Sequence, residues 1–83
     1  MYLDVKEIEA ITARAVASKA GYNIIESIIN EIKSAALKGE NEVKIYYKEH
    51  SISDDKHYYV RYWARICGFH VVDNFDIYMC ISW

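Results

Sequence analysis

Apolar residues in the first half of the chain recur with helical spacing. Ile8, Ile11, Ala15, Ser18, Tyr22, Ile25, Ile29, Ile32 and Ala36 are separated by three and four residues in turn, an unbroken heptad seam. Asp4-Val5-Lys6-Glu7 fits a capping box at its start, and Gly39 supplies a left-handed residue just beyond its end. The pattern therefore predicts one helix over about residues 4–38. At 1.5 Å per residue it would be about 50 Å long, longer than the rest of so small a domain. Either it bends back at Gly21, with Asn23 and Glu26 restarting a second helix, or other chains cover it. A glycine inside a helix costs only about 1 kcal/mol and the heptad phase runs through Gly21, so the continuous helix is the expectation. The seam changes character along its length: residues 10–20 are alanine-rich, whereas Ile24, Ile25, Ile28, Ile29 and Ile32 widen the later stripe. The isoleucine part is expected to cover a sheet of its own subunit, and the alanine part to project toward a partner.

The second half alternates. Val43, Ile45 and Tyr47 share one face of a strand over Asn41–Lys48, with Lys44, Tyr46 and Lys48 on the other. Ser53, Asp54 and Asp55 open a second helix, whose apolar positions Tyr59, Tyr62, Trp63 and Ile66 recur at helical spacing before Gly68 ends it. Phe69–Val72 is a short strand, Asp73-Asn74 a turn, and Phe75–Trp83 a strand apolar enough on both faces to lie in the middle of the sheet. The fold class is α+β: a long N-terminal helix, then strand-helix-strand-strand with a three-stranded mixed sheet. Its first two strands are expected to form a right-handed parallel crossover, and the third to pair antiparallel with the second. One domain spans residues 1–83, with 1–23 a projecting or bent helical part and 24–83 a compact α+β unit. Its expected core is Ile25, Ile28, Ile29, Ile32, Val43, Ile45, Trp63, Ile66, Val71, Ile77, Met79 and Ile81.

Composition narrows the class. A hydrophobic fraction of 53% excludes an intrinsically disordered chain, and 83 residues give a core small enough to favour an oligomer. The net charge of −2 leaves no basic face for nucleic acid. Met1-Tyr2-Leu3-Asp4 is no signal-peptide start, and no uncharged run is long enough to span a bilayer. Two cysteines are too few for a disulfide scaffold, so a cytosolic protein with two buried thiols is expected.

The candidate chemistry is sparse. Cys67 and His70, with Cys80, His50 and His57 elsewhere, lack the paired spacings of a zinc site. Cys67 lies at a helix C-terminus, where the dipole disfavours a thiolate. Asp54-Asp55 and Asp73/Asp76 are accounted for by a helix start and a turn. No catalytic residue, metal or cofactor is expected. The aromatics carry more weight. Tyr46, Tyr47, Tyr58, Tyr59, Tyr62 and Trp63 cluster with Lys44, Lys48, Arg61 and Arg65. Such a set packs a core, builds a protein interface, or stacks bases.

One further pattern runs through Ile28, Ile32-Lys33, Ala35-Ala36 and Gly39, then Val43-Lys44-Ile45, then Trp63 and Cys67-Gly68-Phe69-His70-Val71, and ends at Tyr78 and Ile81-Ser82-Trp83. It resembles a broad group of small proteins encoded by tailed bacteriophages. The resemblance covers roughly residues 25–83 and is one of architecture and punctuation. It implies a phage origin and a small α+β fold that often self-associates through its helix.

The expected function is a non-enzymatic protein-binding module, an inhibitor of a host antiviral-defence protein acting by surface contact in the host cytoplasm. The alternatives are a virion component joined through its helix and a nucleotide- or nucleic-acid-binding oligomer. The expected oligomer interface, for a dimer or trimer, is Ile8, Ile11, Ala15, Ser18 and Tyr22. The expected partner-binding surface is Lys44, Tyr46, Lys48, Tyr58, Arg61, Tyr62 and Arg65.

Overall fold

The computed structural model describes residues 5–83. The Asp4 half of the capping box lies outside the described residues. Three helices and a three-stranded sheet follow in the order α1 (Val5–Ala20), α2 (Tyr22–Leu37), β1 (Glu42–Tyr46), α3 (Asp54–Ile66), β2 (His70–Asn74) and β3 (Tyr78–Ser82). The fold is α+β, as the pattern predicts.

The continuous helix is not formed. Gly21 adopts φ 102 and ψ 120, a conformation that side-chain-bearing residues rarely take. Its N–H still bonds the Ala17 carbonyl at 2.9 Å, and its carbonyl already accepts from Ile25 at 3.1 Å. One residue thus closes α1 and opens α2 with few backbone groups unmatched. Asn23 and Glu26 are not the restart: Gly21 itself holds the N-cap position and no side chain caps α2. The break folds α1 back onto α3, against which it packs more extensively than against α2. Burial decides the matter. Val16, Ala17 and Ala20 are buried and Ala13 is half-buried, so the small side chains that suit close helix approach find a helix of their own chain.

The helix ends follow local rules. Gly39 (φ 82) and Gly68 (φ 96) each lie just past a helix. In each case the next N–H reaches back, Glu40 to Ala35 at 3.0 Å and Phe69 to Ala64 at 3.1 Å, which is the Schellman arrangement. Ser53 stands at the N-cap of α3, but its hydroxyl donates to the Asp55 carboxylate at 2.6 Å and makes no cap bond.

The sheet is antiparallel throughout, in the order β1-β3-β2. The expected mixed sheet, with β1 and β2 paired in parallel, is corrected. The crossover through α3 does leave β1 and β2 running the same way, but β3 inserts between them. Its Met79 and Ile81 are buried, and the most apolar strand takes the position with neighbours on both sides. The β2–β3 turn falls later than Asp73-Asn74. Asn74 still pairs with Tyr78, and the loop is Phe75–Ile77. Phe75 (φ 53) and Asp76 (φ 57) are both left-handed, and Ile77 N–H bonds the Asn74 carbonyl at 3.0 Å, as in a type I′ turn.

The core gathers Ile25, Ile28, Ile45, Trp63, Val71, Met79 and Ile81 as expected, with Ile29, Ile32, Val43 and Ile66 at its margin. Ile77 belongs to the hairpin loop and is exposed, contrary to expectation. Val16, Ala17, Ala20, Tyr47, Ile52, Val60 and Ala64 complete the core. The bend brings in the first three, and α3 and its preceding turn contribute the last three.

Candidate binding surface

A polar clamp ties α3 to the sheet. Tyr47, only 2% exposed, directs its hydroxyl to Asp73 Oδ1 at 2.5 Å. Arg61, half-buried on α3, donates to the same oxygen and to the Tyr47 hydroxyl, both at 3.1 Å, and reaches Asp76 at 3.4 Å. Asp73 Oδ2 accepts the Asp76 N–H at 3.4 Å. Burial, then the hydrogen bond to Asp73, push the Tyr47 hydroxyl up to about 12, against the opposing pull of Arg61. Burial by itself raises Asp73, but the Tyr47 hydroxyl and the Arg61 guanidinium outweigh it and hold the carboxyl below its ordinary range.

His57 stacks on the Tyr47 ring at 3.8 Å. Its Nε2 faces the Ile52 carbonyl at 3.2 Å and its Nδ1 faces Asp76 at 3.4 Å. A carbonyl only accepts, so Nε2 carries a hydrogen. Both ring nitrogens are engaged, neither is directed at a nucleophile, and the ring is buried at 5% exposure. The arrangement is structural: it seats the hairpin loop against the first turn of α3. Among the described residues no group of three or more His, Cys, Asp and Glu side chains is placed to hold a metal ion. Cys67 and Cys80 are free thiols, Cys67 exposed and Cys80 half-buried, so neither is the fully buried thiol that was expected. Burial, and then the neighbouring Glu42 carboxylate, push the Cys80 thiol up.

The expected partner surface divides. Tyr58, Tyr62 and Arg65 are exposed along the outer side of α3, where Tyr58 and Tyr62 meet edge to face at 5.7 Å. Lys44 and Tyr46 stand on the open face of the sheet. There Tyr46 contacts Tyr78 at 5.1 Å, Lys44 Nζ lies 5.3 Å from the Tyr78 ring centre, and Asn74 donates to the Tyr78 hydroxyl at 2.7 Å. Lys48 falls in the turn after β1. Arg61 is corrected from a surface residue to a member of the clamp, because its partners Tyr47, just past β1, and Asp73, on β2, come from segments that the sequence does not bring near it. With Arg61 engaged and Tyr47 and Trp63 buried, the base-stacking set loses three of its members.

The expected oligomer residues Ile8, Ile11, Ala15, Ser18 and Tyr22 all remain exposed. The first four form a stripe on α1 beside the one that packs on α3, and Tyr22 lies across the bend at the start of α2. Sequence reasoning missed the hairpin tip. Phe75 is 89% exposed, and Ile77, 59% exposed, lines a cleft with Tyr47, Ile52, Asp54, His57 and Asp76. The only signal for it was a phenylalanine directly after a turn-forming Asp-Asn pair. No helix among the described residues is long and apolar enough to cross a membrane. Comparison of the chain with protein-family models, with curated proteins and with solved structures gave no match.

Proposed function

We propose that this chain is a non-enzymatic protein-binding module that acts by surface contact. The observation that carries the reading is Phe75: a bulky apolar side chain, 89% exposed, on a backbone with φ 53. A left-handed non-glycine residue costs about 1–2 kcal/mol, and such strain persists where the surroundings hold it in place and a function uses it. Here the Asp73–Asp76 bond and the engagement of His57 with Asp76 brace the turn, and an aromatic anchor stands in water beside Ile77. Exposed aromatic anchors of this kind dominate binding energy at protein interfaces. Following the phage resemblance, the proposed partner is a host protein of the antiviral defence, bound and inhibited in the host cytoplasm.

The test is capture from host lysate by the tagged chain, with Phe75→Ala alongside. The reading expects a saturable host partner retained by the parent and lost by the folded variant. Equal capture by both would overturn the hairpin tip as the binding element.

The exposed stripe of Ile8 (44%) and Ile11 (59%) favours a second reading, a virion component self-assembling through α1. Mass spectrometry of purified virions would detect the chain in that case and not in the first.

A further inference from the structure

Among the described residues nothing pairs with the outer edge of β1. Trp83 N–H bonds the Asn41 carbonyl at 3.0 Å, and Tyr47 N–H bonds the Ile77 carbonyl at 3.2 Å. Together with the Val43–Ile81 and Ile45–Met79 register, these bonds assign the odd-numbered residues of β1 to β3. The N–H and C=O groups of Glu42 and Lys44 therefore point away from β3, along the free edge. The Tyr46 N–H does the same, but its carbonyl already accepts from His50 at 3.3 Å. A free edge of this kind is a template for a further strand.

We propose that this edge pairs with the same edge of a second copy, antiparallel about a two-fold axis through Val43, to make one continuous six-stranded sheet from two three-stranded ones. Charge selects both the occupant and the register. Only the even-numbered residues face outward, so hydrogen-bonded cross-pairs must join even to even. With the Tyr46 carbonyl taken, three registers set the two fully free residues, Glu42 and Lys44, against Glu42 and Lys44 of the second copy. One sets Glu42 opposite Glu42 of the second copy, and another sets Lys44 opposite Lys44; each places like charges face to face, which is unfavourable. The third sets Glu42 opposite Lys44 of the second copy and, by symmetry, Lys44 opposite its Glu42. That register makes the interface self-complementary, as a two-fold contact requires. It also brings the two half-buried Val43 side chains together at the close, non-hydrogen-bonded position. A lysine on an edge strand ordinarily guards against pairing; a glutamate two residues before it turns the guard into a selector for a second copy of this chain. The surface is separate from both the hairpin tip and the α1 stripe.

Sedimentation velocity of the full chain over a concentration series tests this. The parent should show a reversible dimer. Lys44→Glu and Glu42→Lys should each weaken it by about tenfold or more. Both residues are exposed, so circular dichroism should find each variant folded. Mixing the two single variants should restore association, because each then faces its opposite charge, and E42K/K44E in one chain should dimerise like the parent. A parent monomeric across the series would overturn the proposal. So would a dimer indifferent to K44E, a mixture that stays monomeric, or a dimer abolished by Ile11→Asp but not by K44E, which would place the contact on α1.

Discussion

α1 and α2 carry the same heptad phase and equal lengths of 16 residues, yet they end in different surroundings. α2 lies against β1 and buries Ile25 and Ile28. α1 lies against α3 and buries Val16, Ala17 and Ala20, leaving Ile8 and Ile11 in water. The difference shows that periodicity identifies a helix and its phase, whereas side-chain size decides what the helix can approach. Alanines let two helix backbones come close but bury little area each. Isoleucines fill the wider gap above a pleated sheet and carry most of the hydrophobic stabilisation. The sheet side has, in addition, the Tyr47–Asp73–Arg61 clamp. The α1–α3 contact shows instead Lys19 Nζ at 5.6 Å from the Tyr59 ring centre.

The contrast is broken most forcefully at Ile28, which is fully buried. Ile28→Ala should cost about 2–5 kcal/mol in urea unfolding, and Ile81→Ala should behave alike. A loss as small as that of an α1 surface change would mean that the sheet side is not the main core.

The clamp sharpens it next. Tyr47 sits at about 12 when folded against 10.0 unfolded. Its contribution is therefore complete below pH 10 and lost as pH rises toward 12, about 2–3 kcal/mol at 1.36 kcal/mol per unit. Unfolding monitored by tyrosinate absorbance should show this alkaline loss, and Tyr47→Phe should remove it. Asp73 acts in the opposite sense: its carboxyl is held below 3.8, so its stabilisation is present above that pH and fades as pH falls further.

Gly21→Ala addresses the bend itself. At φ 102 an alanine is strained, and the expected loss is about 1–2 kcal/mol. The variant should also favour the straight helix, which would free α1 from α3. Faster hydrogen exchange across α3, with α2 protection unchanged, would report that release.

The smallest effect belongs to the exposed stripe. Ile11→Asp should change the stability of the monomer by no more than about 0.5 kcal/mol, as read by thermal melting at low concentration. A large loss there would mean that the stripe is buried within the chain.

Much of the fold was legible in the sequence because its causes are local. Gly39 and Gly68 end helices through backbone freedom at one residue. Val43-Lys44-Ile45 alternates because a pleat does, and the apolar content of the last strand announced a central position. The exposed stripe from Ile8 to Ser18 and the aromatic row Tyr58–Tyr62 could likewise be located by spacing. Other features depended on meetings between distant segments. Gly21 tolerates either a helix or a bend, and only the room on α3 for Val16, Ala17 and Ala20 made the bend the better choice. A parallel pairing of β1 with β2 satisfied every local rule, but inserting β3 buried more of Met79 and Ile81. Arg61 reads as a surface base in its own helix; it became part of a clamp because the turn after β1 delivered a hydroxyl, and β2 a carboxylate, within 3.1 Å of it. Phe75 was assigned to a strand by its hydrophobicity, and the pairing of Asn74 with Tyr78 moved it to the turn. Local chemistry thus determined the elements and their ends. Their neighbours, and with them the residues left for binding, were decided by which apolar surfaces could be buried together.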